Sequence, residues 1–343
     1  MTRVHQALSG AGPYDAVTVQ ALRWRELLAG RGYEGRVFAG AIDPRAGNVQ
    51  PLARLDPRPA DLTVLHYSAY APHMRRALEL PGRKLIVHHN VTPPRYLWDH
   101  APNVAASCAL ALRELPGYLE RADAVAAVSE YNARELTEAG ARDVSVVPIL
   151  LDPERLSPRG TPPPGDGPLV LVVGRLVPNK RHDLAAQAFD AYRRACEPGA
   201  RLLFVGEPLT AAYRRLVESW APAAVTGGLP QPDLNAAYAE ASVLLSTSEH
   251  EGFSVPLLEA FEFGLPVVAR PAGGMPEVGG DAVLWVGEEP FDAAVAAELI
   301  DGAVRDGELR AELARRGRER LEAFAPERVS ERIVAAVERA LGA

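Results

Sequence analysis

The chain is poor in the residues that several kinds of chemistry require. Its 343 residues include 2 cysteines, Cys108 and Cys196, one in each half, so neither a disulfide framework nor a CxxC metal site can be built from them. Both read as buried thiols. No Asp-x-Asp, HExxH or cysteine cluster occurs, so a divalent metal has no evident ligand set. No apolar run approaches the roughly 18 residues that span a bilayer, and "MTRVHQALSG" lacks the apolar core of a signal peptide, so a cytoplasmic location is expected. Basic charge is not in excess. The 37 Lys and Arg against 44 Asp and Glu leave a net charge of -7, which argues against nucleic acid as a partner. Aromatic residues make up only 6%, their place taken by Ala, Arg, Pro and Gly.

What is present is a long globular composition, 48% hydrophobic and 24% charged. The length fits two domains of roughly 150 to 170 residues. In the first half, short β-rich runs ("RVHQAL", "GRVFAG", "DLTVLHY", "KLIVHHN", "AVAAVS", "VSVVPIL") alternate with helical stretches from about 15 to 30, near 73 to 80, ending near Arg121, and from Glu130. Most of these strands are apolar without strict alternation, as buried parallel strands are. Residues 157–168, "SPRGTPPPGDGP", hold five prolines and three glycines and are read as the interdomain link. The rhythm then restarts with "LVLVVGR", "RLLFVG", "AAVTG", "SVLLSTS" and "LPVVAR", separated by helices at 181 to 195, 209 to 220 and 234 to 241.

The expected fold class is therefore α/β: two doubly wound parallel-sheet, Rossmann-like domains, 1–156 and 169–325, facing an interdomain cleft. Ligands of such sheets sit at the carboxyl ends of the strands. The tail from about Ala293 is helical, with breaks near Gly307 and Pro326, and its last helix, 326–343, is expected to return to the first domain.

Three loops at strand ends suit one phosphorylated and hydroxylated ligand. In "GRLVPNK", Gly174, Arg175 and Lys180 precede a helix start, and two cations beside a helix N-terminus can hold a diphosphate. A solvated pair of surface cations is the plain alternative. In "SEHEGFSVPLLEA", Ser254 is a plausible N-cap with Pro256 in the first turn, so the amides around Gly252, Phe253 and Ser254 would point to the ligand. Glu259 falls four or five residues into that helix, where a carboxylate can accept two hydrogen bonds from a vicinal diol such as a ribose. Glu251, on the turn, would reach a different hydroxylated group. Glu in a first turn can also serve only the helix dipole. Gly273 and Gly274 in "PAGGMPEV" would let backbone amides approach the ligand.

The run from "VVGRLVPNKRHDLAAQAF" through "SEHEGFSVPLLEAFEFGLPVVARPAGGMPEV" resembles the retaining family 4 glycosyltransferases of the GT-B fold, whose hallmark is two glutamates separated by seven residues. Glu251 and Glu259 match that pair. "HQALSGAGPYDAVTVQALRWRELLAGRGYE" and "LIVHHNVTPP" are similar to the corresponding segments of a bacterial branch. The resemblance implies that Arg175 and Lys180 grip the diphosphate of a nucleotide sugar, Glu259 binds the ribose and Glu251 contacts the sugar hydroxyls. The amides of Phe253, Ser254 and Val255 would approach sugar and phosphates, and His89 would face the donor sugar. His88, its neighbour on one strand, should point to the opposite face. Two features depart from the pattern. Ser254 stands where the commonest form has Gly, and Gly10 and Gly12 of the phosphate-side loop are separated by Ala11 instead of adjacent.

The implied reaction moves a hexose from a UDP- or GDP-sugar to the hydroxyl of a saccharide, lipid-linked or small-molecule acceptor. Same-face attack would be assisted by the departing phosphate, and Arg175, Lys180 and helix N-termini would stabilise the leaving charge. No cofactor or metal is expected. An epimerase or phosphorylase on the same architecture, or a non-catalytic nucleotide-sugar-binding module, are the other readings. Tyr96 and Trp98, with His100, could stack on an acceptor sugar, or simply pack their loop. Arg75, Arg76, Arg83 and Lys84 could touch a membrane, although so few charges in an acidic chain favour a solvated face. The sequence does not set the oligomeric state.

Overall fold

The computed structural model describes residues 2–220, 223–287 and 290–342, so Met1 and Ala343, the outermost expected bounds, lie outside it. The chain divides into two compact units. The first runs to Trp98, resumes from Pro102 to Leu150 and takes up the chain again from Phe324; the second holds Asp99–Ala101 and Leu151–Ala323.

In the first unit, β1 (Val4–Ala11), β2 (Val37–Ile42), β3 (Val49–Pro51), β4 (Leu62–Tyr67), β5 (Arg83–His88), β6 (Ala124–Ala127) and β7 (Ser145–Val146) form one sheet, ordered β3-β2-β1-β4-β5-β6-β7. Every pairing is parallel. All six residues of β4 are buried, which is why "LTVLHY" reads as a continuous apolar run. Helices α1 (Ala16–Gly30), α2 (Pro72–Glu79), α3 (Pro102–Leu119) and α4 (Glu130–Glu138) make the crossovers. The Asp15 carboxylate starts α1 by accepting from the Thr18 backbone N–H at 2.8 Å and the Thr18 hydroxyl at 2.7 Å. Such a cap contributes about 1 kcal/mol. Asp61 is fully buried ahead of β4, where it accepts from the Arg3 and Arg58 guanidinium groups at 2.5 and 2.9 Å.

The run "VSVVPIL" shortens to a two-residue strand: the Val147 N–H still reaches the Ala127 carbonyl at 2.8 Å, but Pro148 has no N–H with which to continue the ladder. The Gln20 side-chain amide of α1 donates to the Leu150 carbonyl at 2.9 Å and accepts from the Leu150 N–H at 2.9 Å, pairing both backbone groups of a residue beyond the ladder.

In the second unit, β8 (Leu169–Val173), β9 (Arg201–Val205), β10 (Ala224–Val225), β11 (Val243–Ser246), β12 (Val267–Ala269) and β13 (Val283–Trp285) are ordered β10-β9-β8-β11-β12-β13, again all parallel. Its helices are α5 (His182–Ala195), α6 (Ala211–Trp220), α7 (Gln231–Glu240), α8 (Val255–Glu262), α9 (Met275–Gly279), α10 (Ala293–Arg305) and α11 (Gly307–Ala323). Val170, Phe204, Leu245 and Val268 of the sheet bury against Phe189 and Tyr192 of α5 and Ile300 of α10. The last helix, α12 (Pro326–Leu341), belongs to the first unit, where it packs against α1, β4, β5 and β6.

The Pro-rich stretch 157–168 is no free link. The chain divides before it, at Leu150, and the stretch packs on the second unit. Asn235 donates to the Arg155 and Ser157 carbonyls at 2.6 and 2.9 Å, the Thr161 N–H reaches Asp233 at 3.1 Å, and the Arg201 guanidinium donates to the carbonyls of Pro164 and Gly167 at 3.0 Å each. A proline-rich segment has many carbonyls and few N–H groups, so cationic and amide donors are what hold it.

Candidate functional site

In the second sheet the winding reverses between β8 and β11, the place where ligands of such sheets are held at the carboxyl ends of the strands. The β8 loop brings Gly174, Arg175 and Lys180; the β11 loop brings Ser248, Glu251 and the start of α8. They are stitched together. Asn179, 4% exposed, accepts the Glu249 N–H on its carbonyl at 2.8 Å and donates from Nδ2 to the His250 carbonyl at 3.1 Å. The Thr247 hydroxyl donates to the Arg181 carbonyl at 2.8 Å.

Within that frame Lys180 Nζ pairs with Glu251 Oε1, and the Ser248 hydroxyl donates to the same oxygen at 2.7 Å. The lysine end lies beside Gly174 (φ +146°): a Cβ there would stand 3.5 Å from Cε and Nζ. Arg175 is exposed, and its side chain makes no ion pair or hydrogen bond to another described residue. The two strand ends thus carry one cation committed to a carboxylate and one available.

The turn into α8 departs from the expected cap. Ser254 sits at the cap position in the left-handed region (φ +80°, ψ +76°), and its side chain makes no capping hydrogen bond. Glycine takes this conformation without strain, so the resembled family's usual residue suits the backbone better than serine does. The backbone N–H groups of Gly252, Ser254 and Val255 donate to no other described residue. They are open donors at a helix start, which favours negative charge. Phe253 between them is buried.

Glu259, the fifth residue of α8, accepts from the Tyr238 hydroxyl at 2.7 Å. Tyr238 is fully buried and stacks on Phe263 with centroids 5.5 Å apart. Burial, then the Glu259 charge, holds its phenol well above the usual range, so it remains a donor to the carboxylate. Gly273 and Gly274 have a different role from the one expected. A Cβ at Gly273 would stand 2.0 Å from the Glu251 carbonyl oxygen, one at Gly274 would stand 2.4 Å from that of Gly252, and the Gly274 N–H donates to the Glu251 carbonyl at 2.9 Å. That amide is spent on the glutamate turn. The two glycines shape the turn and do not offer this donor to a ligand.

Several residues around the site were not anticipated. Glu249 pairs with both Arg181 and the nearly buried Arg270, the latter at 2.9 Å, and Arg181 also pairs with Asp183 at 2.8 Å. This network fixes the loop from which Lys180 projects. The available signal was a polar residue at nearly every position of "STSEHE" directly after an apolar strand, more than solvation of a turn requires. Among the described residues no three His, Cys, Asp or Glu side chains gather as a metal-ligand set.

In the first unit the paired histidines separate as alternation demands. His88 is 1% exposed, with Nε2 3.5 Å from Glu135, while His89 is only partly buried on the other face. His89 Nε2 lies 2.8 Å from Nδ1 of His66, a residue the motif reading passed over. Gly10 is the last-but-one residue of β1, in register with Ala41, so the strand runs further into the expected loop than the sequence suggested. The Gly12 N–H is taken by the Thr18 hydroxyl at 3.2 Å. Tyr96 carries the Arg95 guanidinium 4.7 Å over its ring, and Trp98, 47% exposed, makes no ring contact with another described residue. His100 lies in the second unit, with its ring against Tyr213 at 5.0 Å. Lys84 is buried and donates to the carbonyls of Leu80, Pro81 and Gly82 at the end of α2, while Arg83 pairs with Asp123 at 3.0 Å; neither belongs to a free basic patch. No described helix is long and apolar enough to cross a membrane.

Two parallel sheets of this order define an α/β class of two Rossmann-like units, and comparison with known proteins shows what the chain resembles. Residues 154–320, which lie in the second unit, match the family model described as glycosyl transferases group 1. It is 30% identical over 176 residues to a GDP-mannose-dependent alpha-(1-6)-phosphatidylinositol monomannoside mannosyltransferase of Mycolicibacterium smegmatis, covering 46% of each chain. It is 27% identical to a D-inositol 3-phosphate glycosyltransferase of Acidothermus cellulolyticus, over 89% of this chain and 85% of that one. The chain spans less than half the length of the first curated relatives it matches. Among solved structures, sucrose-phosphate synthase of Thermosynechococcus elongatus superposes with a TM-score of 0.77 over 99% of both chains at 20% identity. The fold is GT-B.

Proposed function

We propose that the chain is a retaining glycosyltransferase that moves a hexose from a UDP- or GDP-sugar to an acceptor hydroxyl, with the α-configuration kept. The observation that carries this reading is the meeting, at one switch point, of a Lys180–Glu251 pair, an uncommitted Arg175 and the open amides that begin α8. A diphosphate satisfies the two cations and the amides together, and its arrival frees Glu251 to accept from sugar hydroxyls. Glu259, held by Tyr238 on one oxygen, suits a ribose diol. As the bond to the anomeric carbon breaks, charge grows on the leaving phosphate, where Arg175, Lys180 and the helix start stabilise it without a metal ion. The departing phosphate accepts the proton of the incoming hydroxyl, so no carboxylate base is needed. The donor of the mycolicibacterial relative makes GDP-mannose the first sugar to try.

Nucleotide release from UDP- and GDP-hexoses, measured with and without a panel of saccharide and lipid-linked acceptors, tests this. Acceptor-dependent release with an α-linked product is expected; tight binding without release would reduce the protein to a binding module. Removing one preorganised donor should cost about 3 to 4 kcal/mol in the transition state. Arg175→Ala and Lys180→Ala should therefore each lose about a hundredfold or more in kcat, and either variant retaining full activity would refute the site.

A further inference from the structure

The first unit contains a hydrogen-bonded line of three side chains from three adjacent strands. Gln6 of β1 and His66 of β4 are fully buried, and His89 follows β5 directly. Gln6 Oε1 lies 2.8 Å from His66 Nε2, and His66 Nδ1 lies 2.8 Å from His89 Nε2. The indole of Trp24 meets the His66 ring edge-on at 5.5 Å. Burial depresses the pKa of His66 to about 3 and, with the neighbouring His66 and His88, holds that of His89 well below its usual range. Both rings are neutral, so each carries one N–H.

One proton per ring gives the line a direction. A carboxamide oxygen can only accept, so His66 carries its proton on Nε2 and presents a bare Nδ1. That lone pair must accept from His89 Nε2–H, which leaves His89 Nδ1 without a proton. His89 Nδ1 makes no hydrogen bond to another described residue.

We infer that His66, oriented by Gln6, is a positioning residue that fixes His89 as its Nε2–H form, so that His89 Nδ1 accepts a hydrogen bond from a ligand hydroxyl. The inference rests on the transferase reading only in taking the ligand to be a sugar. An imidazole locked this way accepts from a hydroxyl and repels a carbonyl, carboxylate or phosphate oxygen, which have no proton to give. The site therefore selects for an intact hydroxyl on the sugar. Turning the Gln6 amide over would reverse the line and make His89 a donor; that is the competing state.

Long-range proton–nitrogen correlation of the imidazoles in 15N-labelled protein reads which ring nitrogen holds the proton, and His89→Asn identifies the His89 signals. Wild type is expected to give a single neutral Nε2–H form of His89 near neutral pH. His66→Asn, whose Oδ1 can replace Nδ1 as acceptor, should keep that form, and His66→Phe should release His89 into a mixture of both. An Nδ1–H form in wild type, or an unchanged His89 in folded His66→Phe, overturns the inference. Should His66→Phe fail to fold, Gln6→Met carries the same test, with the same mixing expected. None of these readouts needs a substrate, so they remain decisive if nucleotide release fails. With activity in hand, His66→Phe should lower kcat/KM about tenfold or more while the Kd of UDP or GDP stays unchanged; His66→Asn should recover most of the loss.

Discussion

Ser254 holds a backbone conformation that costs an L-residue roughly 1 to 2 kcal/mol, and its hydroxyl makes no capping bond in return. The strain lies next to three open amide donors, where local strain and function commonly coincide. Glycine would relieve it, less the larger chain entropy that glycine loses on folding. Ser254→Gly should therefore stabilise the second unit by about 0.5 to 1 kcal/mol, read as a higher denaturant midpoint with an unchanged slope. A lower midpoint would show that the serine hydroxyl holds the turn. Lys180 and Glu251 stand out in the sequence as candidates, and their pairing does not, because 71 positions separate them and only the β8–β11 neighbourhood brings them together.

At the scale of elements, the site is two loops and a helix start held by backbone contacts. Gly273 (φ +54°) packs against the carbonyl of Glu251, where a methyl group would stand 2.0 Å from oxygen. Gly273→Ala must push the glutamate turn outward. It should cost about 2 kcal/mol or more in stability and weaken UDP or GDP binding at least tenfold, measured by denaturant unfolding and calorimetry. Binding close to wild type would mean that the turn's position does not matter to the nucleotide. The same contact explains a limit of motif reading. Two adjacent glycines announce a close approach, but the approaching group can be a ligand or the chain itself, and only the folded loop distinguishes them.

At the scale of the whole molecule, both units bury neutral histidines. Burial and Arg3 lower the pKa of His5 to about 4, burial lowers that of His66 to about 3, and burial and Lys180 lower that of His182 to about 3. The unfolded chain binds a proton at each of these groups near pH 6.5, whereas the folded chain resists. Their contribution is therefore complete above pH 6.5 and is lost as pH falls toward their folded values, at about 1.4 kcal/mol per pH unit for each group. Asp61 acts further down. Burial alone would raise its carboxyl, but hydrogen bonds from Arg58 and Arg3 outweigh it and hold the group below the usual carboxylate range, so this contribution fades only below about pH 4. Urea midpoints measured at about pH 7.5, 6.0 and 5.0 should fall steadily. A flat profile would mean that the histidines protonate without unfolding.

The alternation of strand and helix and the parallel sheets follow from the sequence by itself, and so does the choice of Glu251, Glu259, Arg175 and Lys180 as candidates, because periodicity and short spacing are local properties of the chain. The short strands β3 and β13 lie at the weak end of that signal, with three residues each, too few to show a period. Tertiary structure alone decided which polar groups meet: Lys180 with Glu251, Tyr238 with Glu259, His66 with His89, and the Pro-rich stretch with Asn235 and Arg201. Strand order sets those partners. In a parallel sheet, neighbouring strands are separated by whole crossovers, so side chains dozens of residues apart become nearest neighbours and the lowest-energy pairing of buried charges and donors is settled only when the sheet closes around them.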